Sequence, residues 1–182
     1  MDEENRYRYL LTVLGEDRPG IVASVTKGLS VAGCNIEQSS MSVLGSSFAI
    51  ILVVNVPQES ENRFRTSLVG ITTVEDLKIH VDQFPSGSLY KVTEGQPYNL
   101  TLHGSDHQGI IASVTSVLSQ NKINIADLAS KVIQGGEPIF LMTMDLIVPP
   151  NVDVNKVATS LMELGTDIKC EINFSGEDTI TC

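Results

Sequence analysis

Basic residues are scarce in this 182-residue sequence, with 12 lysines and arginines against 22 aspartates and glutamates and a formal charge of −10. Affinity for a phosphate backbone comes chiefly from Lys and Arg that displace counterions. The deficit is shared, −4 over residues 1–95 and −6 over residues 96–182, so neither half is a basic module and no direct nucleic-acid binding is expected. Long apolar runs are missing too. The longest, Phe48 to Val54, falls far short of the ~20 residues that a membrane span requires, and no membrane association is expected. The three cysteines, Cys34, Cys170 and Cys182, are widely spaced and form no Cys-x-x-Cys pair, which suggests neither a disulfide framework nor a zinc site. His103 and His107 flank Asp106, but no His-x-x-x-His or His/Cys cluster accompanies them, and a metal normally needs three or four ligands. No Walker loop, Rossmann glycine run or Gly-x-Ser-x-Gly elbow occurs, so neither a cofactor nor a catalytic activity is expected. The acidic start, Met1-Asp-Glu-Glu-Asn-Arg6, lacks the basic and apolar regions of a secretory leader, and a cytoplasmic location is expected.

What is present is a duplication. Residues 9–41 laid over residues 98–130, an offset of 89, are identical at 15 of 33 positions. The matches include Gly15/Gly104, Asp17/Asp106, Gly20/Gly109, Ile21/Ile110, Asn35-Ile36/Asn124-Ile125, and Ala23-Ser-Val-Thr26 over Ala112-Ser-Val-Thr115. Beyond this block the offset becomes 92, because the second copy carries a longer turn at Gln134-Gly-Gly-Glu137. Composition divides the chain into a first domain at 1–84, a Pro/Gly/Ser-containing linker at 85–97, a second domain at 98–174 and a tail at 175–182.

Each copy reads β-α-β-β-α-β. In the first, Tyr7–Leu14 alternates as a strand ending at Gly15. A helix follows with Pro19 in its first turn, Val22, Val25, Leu29 and Ala32 at helical spacing, and Gly33 as its stop. Asn35–Val43 and Phe48–Val56 flank a hairpin turn, Glu59–Val69 is helical, and Leu77–Val81 alternates as a last strand. The second copy repeats this with strands near 98–102, 124–132, 139–148 and 168–174, and with helices near 110–120 and 153–164. The expected fold is α+β: two tandem ferredoxin-like units, each a four-stranded antiparallel sheet with both helices on one face. The apolar run Phe48–Val54 is expected inside its sheet, since an open edge of that composition is an aggregation liability.

Such a fold hosts many functions, so the loops carry the functional reading. In both copies the first strand enters the first helix through a short polar loop, Gly15-Glu-Asp-Arg-Pro-Gly20 and Gly104-Ser-Asp-His-Gln-Gly109. A glycine at a helix entrance lets a ligand approach backbone amides that have no intrahelical partner, and a carboxylate can dock on them. This assigns Gly20, Ile21, Gly109 and Ile110 to an amide-presenting turn, and Asp17, Asp106, Asn35 and Asn124 to polar contacts. Because Asn35 and Asn124 follow the far end of the helix, the loop of one unit meets that corner only if units pair, which points to an oligomer. Plainer roles stand beside these. The glycines serve a tight turn, the aspartates cap the helix, the asparagines adopt a left-handed helix end, and Arg18 is a solvated charge or the complement of a ligand carboxylate. A Gly20→Val change is expected to test the loop without disturbing the fold.

Leu14-Gly-Glu-Asp-Arg-Pro-Gly-Ile-Val22 together with Gly33-Cys-Asn-Ile-Glu37 resembles the ACT domain, a regulatory amino-acid-binding module, and the likeness extends over residues 7–174. The tandem arrangement and length are similar to the ACT subfamily of repressors of the glycine cleavage system. The resemblance implies a homo-oligomeric cytoplasmic regulator of transcription that binds a small amino acid such as glycine. It acts through a protein partner, a DNA-binding activator, without touching DNA. Ligand contacts are implied at Asp17, Arg18, Pro19, Gly20 and Ile21 with Asn35 and Ile36, and at Asp106, His107, Gly109 and Ile110 with Asn124 and Ile125. The second loop departs from the family pattern, with His107-Gln108 in place of Arg18-Pro19. Two other classes remain open: a ligand-free interaction module and an acylphosphatase-like hydrolase of the same fold. The hydrolase is disfavoured because Glu16-Asp17 makes the first loop hostile to phosphate.

Overall fold

The computed structural model describes residues 5–84 and 94–176. Most of the expected linker, residues 85–93, and the tail beyond residue 176 with Cys182 lie outside the described residues. The chain divides into two compact units, residues 1–90 and 91–182.

The first unit runs β1 (Arg6–Glu16), α1 (Ile21–Val31), β2 (Asn35–Leu44), β3 (Ser47–Pro57), a single 3-10 turn at Gln58–Ser60, α2 (Glu61–Glu75) and β4 (Lys78–Gln83). The second runs β5 (Gln96–Ser105), α3 (Ile110–Gln120), β6 (Asn124–Ile133), β7 (Ile139–Val148), α4 (Val154–Asp167) and β8 (Cys170–Gly176). The sheets are antiparallel with strand orders β2-β3-β1-β4 and β6-β7-β5-β8. This is the expected pair of ferredoxin-like units, and β3 with its apolar run sits inside its sheet, between β2 and β1.

Period-two alternation builds each core. Tyr9, Leu11 and Val13 of β1 face the helices with Phe48, Ile50, Leu52 and Val54 of β3, and meet Ile21, Val25 and Leu29 of α1 and Phe64, Leu68 and Ile71 of α2. The second core repeats this with Leu100 and Leu102, Met142 and Met144, Ile110, Val114 and Leu118, and Val157 and Leu161. Both helix-rich layers stop short of β2 and β6, which are exposed along most of their length.

Several boundaries differ from the sequence reading. Helix α2 begins at Glu61 and continues to Glu75, six residues past Val69, because Ile71 completes its buried stripe while the Thr72 and Thr73 hydroxyls bond the carbonyls of Leu68 and Val69. Pro19 lies ahead of α1, in the loop before Gly20, and not in the first helical turn. Neither Asn35 nor Asn124 is left-handed. That role falls to Gly33 (φ 80°) and to Lys122 (φ 58°), one residue after the helix caps at Ala32 and Asn121.

Candidate functional site

Two helix entrances of the same construction define the candidate site. Gly20 and Gly109 precede α1 and α3 with φ of 92° and 94°, a left-handed conformation that any β-carbon strains. For that reason Gly20→Val is not the silent probe expected from sequence. Neither helix has a side-chain cap, so Asp17 and Asp106 do not cap α1 and α3. Their own amides hold the loops instead, donating to Ser46 O at 2.8 Å and to Pro138 O at 3.1 Å in the neighbouring hairpin loops. First-turn amides lacking an acceptor make a site for a carboxylate. A β-carbon built on either glycine would meet nothing within 4 Å, so the backbone is open on that side of each entrance. Ile21 and Ile110 send their side chains into the cores and have only their amides to offer a ligand, and that of Ile21 already makes a long bond to Arg18 O at 3.4 Å.

The next residue type decides how each loop is held. Arg18 donates to the Glu75 carbonyl at 2.8 Å and pairs with the Glu75 carboxylate, which ties the first loop to the C-terminal end of α2. His107 stands in its place in the second loop, with Nε2 at 2.8 Å from the Ile168 carbonyl at the end of α4. A carbonyl only accepts, so Nε2 donates in this shorter contact, while Nδ1 lies 3.2 Å from the Gln108 carbonyl. The two different side chains therefore clasp the same place in each unit. Arg18 is neither fully solvated nor unengaged, since any ligand carboxylate competes with Glu75 for it. Pro19 is exposed in the same loop.

Asn35 and Asn124 open β2 and β6 at the opposite end of an 11-residue helix, about 16 Å away at 1.5 Å per residue. Within a unit they do not meet the loops. Each joins a groove along the outer side of the first helix: Asn35 and Ile36 with Ala23, Thr26, Lys27 and Ser30, about 540 Å³, and Asn124 and Ile125 with Ala112, Thr115, Ser116 and Ser119, about 830 Å³. Neither groove includes the loop glycines. The helical residues of these grooves were not singled out from sequence, although the identity of Ala23 and Thr26 with Ala112 and Thr115, off the apolar stripe, was the available signal. Cys34 also lines the first groove, and burial, opposed by the weaker effect of the Arg63 charge, pushes its thiol up.

Just past the groove the first unit has a polar cluster that the second lacks. A register shift in β2 leaves Glu37 as a bulge, and its carboxylate accepts from Asn55 at 2.8 Å and pairs with Arg8 Nε at 2.7 Å. Burial alone raises the Glu37 carboxyl, but the hydrogen bonds from Asn55 and Arg8 and the charges of Arg8 and Arg6 outweigh it and hold the group below its ordinary value. Ala126 occupies the matching bulge of β6. Among the described residues no three His, Cys, Asp or Glu side chains gather as a metal cluster, and no helix is long and apolar enough to cross a membrane.

Duplicated β-α-β-β-α-β units with glycine-led helix entrances define the architecture, and comparison with known proteins agrees with it. The family model for the ACT domain matches residues 8–82. The glycine cleavage system transcriptional repressor of Escherichia coli strain K12 is 27% identical over 131 residues, 72% of this chain and 68% of that protein. A UPF0237 protein of Methanococcus maripaludis is 34% identical over 80 residues, 43% of this chain and 86% of that protein. The solved structure of a protein from Galdieria sulphuraria, 24% identical, superposes with a TM-score of 0.81 over 95% of this chain and 99% of that one, which shows the shared fold. By the family-model match the first unit of the chain is an ACT domain, and the second unit has the same strand order.

Proposed function

We propose that this protein is a non-catalytic regulator whose helix entrances bind a small amino acid such as glycine, and that it acts on transcription through a DNA-binding protein partner, itself making no contact with DNA. The observation that carries the reading is the pair of matching helix entrances, each led by a left-handed glycine with open space beside it and held by a clasp to the end of the second helix of its unit. The ligand carboxylate docks on the amides following Gly20 or Gly109, and Asp17 and Asp106 stand beside them to receive an ammonium group. Asn35, Ile36, Asn124 and Ile125 contribute from the helix-to-strand corner of an associated copy, which makes the protein a homo-oligomer. Similarity to the E. coli repressor supports the transcriptional role, and the acidic charge of −10 supports its indirectness.

Size bounds the affinity. A five-heavy-atom ligand at a ceiling of about −1.5 kcal/mol per atom gains at most about 7–8 kcal/mol, so dissociation constants in the micromolar to millimolar range are expected. Thermal denaturation against the twenty amino acids tests the reading, since a ligand at ~100 times its dissociation constant adds ~2.7 kcal/mol of stability. Asp17→Asn and Asp106→Asn then show which unit responds. Silence across the panel refutes the sensor and leaves a ligand-free interaction module, a reading favoured by the exposed edge strands β2 and β6.

A further inference from the structure

The two helix entrances share a backbone shape but are held by different chemistry. In the first, Arg18, Pro19, Gly20 and Ile21 form a turn with proline second and a left-handed glycine third, the type II arrangement. Its closing bond runs from the Ile21 amide to Arg18 O at 3.4 Å. The amide that a ligand carboxylate would take is thus engaged by the carbonyl of Arg18, and the guanidinium of the same residue is engaged by both the carbonyl and the carboxylate of Glu75. A carboxylate entering here has to draw Arg18 out of contacts that already satisfy it. In the second entrance Gln108 stands in place of the proline. His107 clasps the Ile168 carbonyl, a neutral dipole, and among the described residues no carboxylate pairs with it.

We propose that Glu75 is an autoinhibitory carboxylate: it stands in on Arg18 for the carboxylate of the ligand, so the first entrance is latched and the second fills first. The proposal rests on the entrance reading given above and adds the order in which the two entrances respond. Bonds between a guanidinium and a carboxylate are about twice as strong as neutral ones, but the Arg18 side chain is about half exposed, which limits the pair to the worth of a surface ion pair. The latch is therefore a bias that ligand at higher concentration overcomes. Two entrances of unequal affinity extend the range of ligand concentration over which the chain responds.

Nuclear magnetic resonance titration of the full chain with each of the twenty amino acids, glycine first, reads the entrances separately through the backbone amides of Ile21 and Ile110, while the remaining amides report that each variant is folded. In the parent chain the Ile110 amide is expected to saturate at the lower concentration. Glu75→Gln is expected to tighten the response of Ile21 about two- to fivefold, the range of an exposed ion pair, and to leave that of Ile110 unchanged. Asp76→Asn removes the same charge one residue further on, at a left-handed position that asparagine tolerates, and is expected to move neither. In an Arg18→His background Glu75→Gln is expected to change nothing, since the pair that it breaks is already gone. Parent amides that saturate in the opposite order, a Glu75→Gln chain that binds as the parent does, or an Asp76→Asn chain that matches Glu75→Gln overturns the latch alone. Ile21 and Ile110 amides that are silent to all twenty amino acids overturn the latch and the entrance reading together.

Discussion

Replacing Lys122 by glycine is expected to stabilise the second unit. Helices α1 and α3 end in the same motif: the amide of Cys34 donates to Leu29 O and that of Gly33 to Ser30 O, and Ile123 and Lys122 repeat these bonds to Leu118 and Ser119, all at 2.9–3.0 Å. Such an ending requires a left-handed residue at its turning point. The first unit supplies glycine there and the second supplies lysine at φ 58°. A side chain in that conformation costs roughly 1–2 kcal/mol, while glycine loses about 0.5–1 kcal/mol more backbone entropy on folding, so Lys122→Gly should gain about 0.5–1 kcal/mol. For a unit of this size that corresponds to roughly 2–8 °C in melting temperature. The reciprocal Gly33→Lys should lose at least as much, because a β-carbon there lies 3.2 Å from Ser60 Oγ as well as at φ 80°. Urea titration followed by far-ultraviolet circular dichroism measures both. A Lys122→Gly midpoint at or below that of the parent chain would refute the account of how these helices end.

Other expectations follow from single contacts. Glu37, held below its ordinary value in the folded chain, contributes stability that is present above the unfolded carboxyl range and lost as pH falls through the folded value; Glu37→Gln should flatten the acid limb of a stability profile, and an unchanged limb would show that the Arg8 and Asn55 contacts do not set it. Gly165 sits inside α4 where a β-carbon would lie 2.7 Å from Cys170 O, so Gly165→Ala should cost roughly 1–3 kcal/mol by denaturant titration even though alanine is the better helix former. A neutral result would mean that α4 shifts freely over β8.

The duplication made the fold legible. Two imperfect copies agreeing at Gly20/Gly109 and Asn35/Asn124 mark positions that local composition alone would leave obscure, and strand alternation at Tyr9, Leu11 and Val13 fixes which face meets the helices. The end of α2 was not legible, because Gly70 and the β-branched run that follows weaken the helical signal and only the burial of Ile71 restores it. The loops were read as loops with glycines in the right places, but the partners of Arg18 and His107 lie 57 and 61 residues away and no local pattern announces them. The grooves escaped for a similar reason. Thr26 and Ser30 read as an ordinary polar helix face until the following strand is folded back beside them.

The link from Arg18 to Glu75 has a mechanical consequence. Glu75 is the last residue of α2, and Asp76 and Leu77 carry the chain directly into β4. The first loop is therefore tied to the turn leading into β4 by Arg18, and His107 ties the second loop to the turn leading into β8. One side chain per unit thus links each helix entrance to the turn that opens the neighbouring edge strand.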